Sequence, residues 1–96
     1  MTVFRSRLQD DNRVEFEEAA ARMDELAQSM PGFVEYKTFT AEDGERVSII
    51  VFDSEEHQRG WRQHPEHVAA QKRGRAEFYA SYDLSVCKVV RRTRFP

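Results

Sequence analysis

One cysteine, Cys87, stands among the 96 residues, so the fold has no internal disulfide to rely on and does not depend on oxidation. It sits in an apolar, strand-like run, where a buried inert thiol is expected rather than a nucleophile. Glycine is scarce as well. The four present go to turns, a helix stop and a position beside the only tryptophan, Trp61. A glycine-rich phosphate loop, a Cys-x-x-Cys pair, a nucleophile elbow and a Rossmann fingerprint are all missing, so no nucleotide or flavin is expected through those motifs and the expected cofactor is none. No apolar run is long enough to span a membrane, and Met1–Arg7 lacks the apolar centre of a signal peptide. The expected location is the cytoplasm, without a membrane partner. A net charge of −2 gives no global drive toward nucleic acid, so none is expected as a partner. The basic cluster Arg91, Arg92 and Arg94 is the local exception and reads as a solvated strand end or an intersubunit pairing site.

What is present suits one globular domain over residues 1–96, with 40% apolar and 33% charged residues. A chain of this size buries only about two thirds of its unfolded surface, so a partner subunit would help it. Residues 2–8 read as a first strand. Asn12 with Glu15 three residues later resembles a capping box ahead of a helix from Arg13 to about Met30. Its apolar stripe is Phe16, Ala20, Met23, Ala27 and Met30, widened by Ala19 and Leu26. Pro31-Gly32 stops it. Residues 33–40 and 46–53 form a hairpin around the Asp43-Gly44 turn signal. The second of these strands is apolar at nearly every position, which predicts burial of both faces: one by the chain's own helices, the other by a second copy of the sheet. Asp53 or Ser54 should cap a short helix carrying His57, Gly60 and Trp61; Pro65 launches a third helix through Arg73, with Gly74 as its stop. Residues 78–93 complete the pattern as a last strand, buried on both sides. The order β-α-β-β-α-α-β predicts an α+β fold, a ferredoxin-like split βαβ with an antiparallel sheet and helices on one face.

Chemistry concentrates between Gly60 and His67. The spacing of His57, His64 and His67 offers one helical pair, but Pro65 separates its members and no third ligand stands near, so no metal site is expected. His64 reads as a cap for the third helix. Trp61 reads either as a ring sealing the corner between helices and sheet or as the wall of a pocket for a flat ligand. Tyr36, Tyr79 and Tyr82 could each donate a hydrogen bond to a ligand oxygen or serve as core residues. Arg5 and Arg7 share one face of the first strand, as anion contacts or as edge charges that discourage aggregation.

Taken in order, Phe4-Arg5-Ser6-Arg7-Leu8, Met30-Pro31-Gly32-Phe33, Glu42-Asp43-Gly44-Glu45 and Trp61-x-x-His64-Pro65-Glu66-His67 with Gly74-Arg75 resemble the antibiotic biosynthesis monooxygenase (ABM) domain family over residues 2–95. The resemblance implies a homodimer joined through its sheets into an α/β barrel. It also implies a range of activities: metal- and flavin-free oxidation of aromatic phenols or quinols, haem degradation, or action on small signalling molecules. Trp61 matches the pocket tryptophan of the polyketide-oxidising members, whereas their Asn four residues earlier is His57 here. Haem-degrading members place an iron-ligating His about ten residues after the tryptophan and an Asn in the first strand. Here Gln71, Ser6 and Arg7 occupy those places, which disfavours haem degradation. Two expectations follow. The first is a cofactor-independent monooxygenase of an electron-rich aromatic, phenol or quinol, with Trp61, His57 and His64 catalytic and Arg7, Tyr36, His67 and Tyr79 binding substrate. The second is a non-catalytic ligand-binding or accessory dimer, with Trp61 fully packed and a closed or tiny cavity.

Overall fold

The computed structural model describes every residue from Met1 to Pro96. Four strands, β1 (Thr2–Leu8), β2 (Phe33–Thr40), β3 (Arg46–Phe52) and β4 (Tyr79–Val86), form one antiparallel sheet in the order β2-β3-β1-β4. The β2–β3 connection is the expected hairpin. Gly44 takes φ 90° in its turn, a left-handed conformation that costs glycine little. On β1, Arg5 pairs with Glu45 at 2.9 Å and Arg7 with Asp43 at 2.8 Å, which ties the turn back to the sheet. Helices α1 (Arg13–Ser29), α2 (Glu55–Arg62) and α3 (Pro65–Arg73) complete the predicted order.

Residues paired across an antiparallel sheet share a face, so the registers define three rows beneath the helices. The first holds Tyr82, Ser6 and Arg46; the second Leu84, Phe4, Ser48 and Thr38; the third Val86, Thr2, Ile50 and Tyr36. Hydroxyl side chains interrupt the apolar residues in every row. The opposite face carries Val3, Val47, Ile49, Val51 and Phe39, none of them fully buried, bordered by Lys37, Glu35, Arg5 and Asp83. The predicted two-sided burial of β3 therefore holds for the helix side alone within one chain.

Caps follow side-chain chemistry at two helices. The Ser54 hydroxyl accepts from the His57 amide at 3.1 Å, and His64 Nδ1 accepts from the Glu66 amide at 3.1 Å, as the sequence suggests. The other end signals differ from expectation. Asn12 sits at φ 62° and makes no side-chain cap; its amide donates instead to the Glu77 carbonyl at 3.4 Å. Gly74 is not a stop. Its φ of −58° continues the chain into a π-helical turn, Gly74–Phe78, closed by the Tyr79 amide on the Gly74 carbonyl. Glycine is required there by contact, since a Cβ would lie 2.6 Å from Tyr79 Cε2. The last strand ends at Val86 rather than at residue 93, and it lies at the sheet edge with Tyr82, Leu84 and Val86 all part-exposed. Residues 87–96 have no regular structure, and Val90 and Phe95 are almost fully exposed.

The two helical glycines should respond oppositely to alanine. At Gly60, inside α2, nothing lies within 4 Å of an added Cβ, so Gly60→Ala is expected to stabilise by about 0.5–1 kcal/mol through helix propensity. Gly74→Ala must displace the Tyr79 ring and is expected to cost about 1–3 kcal/mol. Thermal unfolding of the two variants beside the wild type measures both signs.

Candidate functional site

Small hydroxyl residues cannot fill the space between the sheet and the helices, and a cavity of ≈ 590 Å³ remains there. That volume falls within the range of small-molecule sites. Its floor is Thr2, Ser6, Ser48 and Thr38, where the Thr38 and Ser48 hydroxyls bond each other at 2.7 Å. Two groups of aromatic rings stand at its ends. Trp61 packs against Phe52, Tyr36 and His67 beside Ile50. Phe16, Phe78, Tyr79, Phe4 and Tyr82 make the other group, with the Arg46 guanidinium 5.1 Å from the centre of the Phe16 ring. Arg46 and Ile50 are four residues apart on β3, so at a strand rise of about 3.3 Å their Cα atoms lie about 13 Å apart.

Trp61 is 4% exposed, yet its indole N–H finds no acceptor in the protein. A buried donor left unpaired costs about 1–3 kcal/mol. The His67 ring stacks on the indole with centroids 4.2 Å apart and planes 21° apart. His67 Nδ1 lies 3.2 Å from the Arg62 carbonyl oxygen, which can only accept, so Nδ1 carries the proton. Gln71 Nε2 lies 3.3 Å from the same nitrogen; two N–H groups cannot bond each other, so with Nδ1 protonated the carboxamide turns its oxygen to that side. His67 Nε2 is left as a lone pair with no protein partner. Burial lowers the affinity of this imidazole for a second proton, and His64 nearby adds to the effect; the Arg62 carbonyl opposes it. His67 is thus a neutral base at pH 7.

The tyrosines are the complementary donors. Burial holds the Tyr36 hydroxyl protonated, pushing its pKa up to about 12, with Tyr79 and Asp24 adding to the rise and Arg46 working against it. Tyr79 is raised mainly by burial too, again against Arg46. Gln58 is buried as well, and its amide donates to Thr2 Oγ1 at 3.2 Å, pinning α2 to β1.

Of the residues singled out in the sequence, Trp61, Tyr36, His67 and Tyr79 come together on this cavity. His57, His64 and Arg7 do not line it. His57 lies on the far side of α2 in a shallow depression with Met30 and Pro31, its Nδ1 2.5 Å from Asp53 Oδ1. His64 caps α3, and Arg7 is held by Asp43 at the hairpin turn. Arg46, Ser48, Thr38, Ser6 and Gln58 line the cavity without having been singled out. The available signals were Gln58, one helical turn before Trp61, and the alternation Arg46-Ser48-Ile50 on the inward side of β3. No three His, Cys, Asp or Glu side chains are grouped as a metal would need.

Comparison with known proteins places this arrangement in a family. The chain is 36% identical over 90 residues to the uncharacterised protein YqjZ of Bacillus subtilis (strain 168), covering 94% of this chain and 79% of that protein. Its fold is shared by Rv0793 of Mycobacterium tuberculosis, with a TM-score of 0.83 at 15% identity, covering 97% of this chain and 96% of the other. SnoaB of Streptomyces nogalater, a cofactor-independent oxygenase, superposes with a TM-score of 0.71 at 22% identity, covering 93% and 92%. Residues 1–73, and with them the inward rows of β1–β3 and the Trp61–His67 stack, match the description "Antibiotic biosynthesis monooxygenase", and the chain belongs to that family.

Proposed function

We propose that this protein is a cofactor-independent monooxygenase acting on an electron-rich aromatic, phenol or quinol. The observation that carries the reading is a cavity of ≈ 590 Å³ lined by Trp61, whose buried N–H has no protein partner, and by the neutral imidazole stacked on it. An accessory dimer with a closed or tiny cavity would have no use for that volume or that donor. Family membership and the likeness to SnoaB support the reaction class.

The overall reaction converts a ring CH₂, present as such in an anthrone and in the keto tautomer of a phenol or quinol, and O₂ into C=O and water. The substrate supplies all four electrons: one oxygen atom enters the product and the other leaves as water. His67 Nε2 accepts the first proton, which leaves a carbanion whose charge spreads onto the substrate's oxygen. Trp61 Nε1–H and the Tyr36 hydroxyl donate to that oxygen, where fixed donors in a water-poor site are most effective. The carbanion adds O₂, the proton on His67 returns to the peroxide, and loss of the remaining C–H proton with hydroxide gives the ketone. Aromatic walls hold the flat substrate and limit water during this sequence.

Oxygen uptake with hydroquinones and anthrones, in buffer containing a chelator, tests the proposal. Wild type should turn over at least one of them. Trp61→Phe should lose about 10²-fold in kcat as a missing oxyanion donor, and His67→Ala about 10²-fold or more as a missing base. His57→Ala and His64→Ala should keep kcat. No uptake by the wild type, or full activity in both of the first two variants, would overturn the reading.

The acid limb of kcat supplies a pH signature. Burial lowers the folded-state pKa of His67 beneath its ordinary 6.5, so the neutral form and the activity should persist below pH 6.5 and fall only at lower pH. The sign for stability is the same as for any depressed pKa. The contribution is complete above about pH 6.5, where the unfolded histidine is neutral, and is lost as pH falls from there toward the folded value. Proton NMR of the His67 ring reads the midpoint.

We also propose that the uncovered face of the sheet joins two chains into a homodimer, supported by Val3, Val47, Ile49, Val51 and Phe39 lying together without cover. Light scattering should give twice the 11.3 kDa chain mass, and Ile49→Glu should give the monomer. A monomeric wild type would count against this assembly.

A further inference from the structure

Charge is unevenly placed in this molecule. The chain as a whole is acidic at −2, yet the cavity is lined by three arginines, Arg46, Arg62 and Arg75, against one carboxylate, Asp24. Asp24 does not answer any of them: its Oδ1 accepts from Gln28 on its own helix at 3.0 Å. The protein's ion pairs use Arg5, Arg7, Arg22, His57, Arg59 and Arg73, and none uses an arginine of the cavity.

Arg46 is the best placed of the three. It stands in the first inward row, between Ser6 and Thr40 in the strand registers, and its guanidinium lies over the Phe16 ring 5.1 Å from the centroid. Arg62 belongs to a helix end, and Arg75 is exposed and reaches the Tyr82 hydroxyl at 3.4 Å. Stacking on Phe16 orients the planar guanidinium without consuming its five N–H donors, and no protein acceptor takes them. A half-buried guanidinium with free donors, facing a cavity of aromatic rings, is matched by an oxyanion on a flat ring system. The cavity volume of ≈ 590 Å³ leaves room for two or three fused rings beside Arg46.

We infer that Arg46 is a specificity-determining residue, and that the cavity selects planar aromatic anions whose carboxylate or ionised phenol oxygen pairs with its guanidinium while an acceptor at the other end meets Trp61. This names the substrate class for the site proposed above and rests on that reading for its chemistry, but the selection is a binding preference that can be measured without turnover.

Trp61 is the sole tryptophan, so a ¹⁵N-labelled protein gives one indole N–H cross-peak, and that peak reports occupancy of the cavity. It would be followed at pH 7 while titrating 6-hydroxy-2-naphthoate, the neutral isostere 6-hydroxy-2-naphthamide, and a nitronaphthol ionised at that pH, so that acid and amide both carry a far-end oxygen able to accept from the indole. The wild type should bind the acid about tenfold or more tighter than the amide, as a charge-assisted bond to guanidinium predicts. Arg46→Gln should bring acid and amide to parity while leaving the amide's affinity within a factor of about two. Arg46→Lys should keep part of the preference and Arg59→Gln, outside the cavity, all of it. A nitronaphtholate binding as well as naphthoate would support the inference with phenolate as sufficient; weaker binding that still exceeds the amide would support it with carboxylate preferred. Parity of acid and amide in the wild type, an unchanged preference in Arg46→Gln, or naphthoate binding that leaves the indole peak unmoved would overturn it. Absence of oxygen uptake would remove the oxygenase reading and leave this preference standing; parity of acid and amide would do the reverse.

Discussion

The site depends on a mismatch in side-chain size between the two layers of the fold. Protein interiors normally close to crystal-like density, and a helix layer over a sheet of valines and leucines leaves no room. Here Thr2, Ser6, Ser48 and Thr38 pave the inward face with short side chains, while Trp61 and Phe16 hold the helices away at either end. Rings that stack and meet edge to face keep their spacing even though the space between them is unfilled. The packing forgone at the centre is the volume of the cavity.

Around that space the donors and acceptors are sorted by chemistry. Tyr36 and Tyr79 stay protonated because burial penalises the phenolate, and His67 stays neutral because burial penalises the imidazolium. The same physical cause therefore produces donors and a base within one cavity. The Arg62 carbonyl then decides which nitrogen of His67 is free, so the tautomer is set by the end of α2 rather than by the ligand.

Much of the architecture was legible because it follows local rules. The α1 stripe, the Asp43-Gly44 hairpin, the Ser54 and His64 caps and the Pro65 helix start all appear where side-chain chemistry puts them. Signals that depend on tertiary contact were not legible. Asn12 looks like a cap in sequence, but its side chain is drawn to Glu77 across the fold. Gly74 looks like a helix stop, but it makes room for the Tyr79 ring. The site was half visible: Trp61 and three partners meet, while the choice among three histidines turned on helix faces that a proline break conceals. Arg46 and Ser48 were hidden in a strand that reads as apolar, because two polar residues on its inward side are outvoted by Val47, Ile49, Ile50 and Val51.

The floor of the cavity is completed by β4 lying against β1, strands more than seventy residues apart, with the Met1 amino group bonded to the Cys87 carbonyl at 2.9 Å beyond their last pair. Such pairing closes the longest loop available and carries the largest entropic cost of any contact in the sheet. The β2–β3 hairpin can form early and alone, but the binding space cannot. On a ribosome, the emerging chain would hold Trp61 and His67 well before it held a cavity, and that space would be complete only once β4 docked on β1.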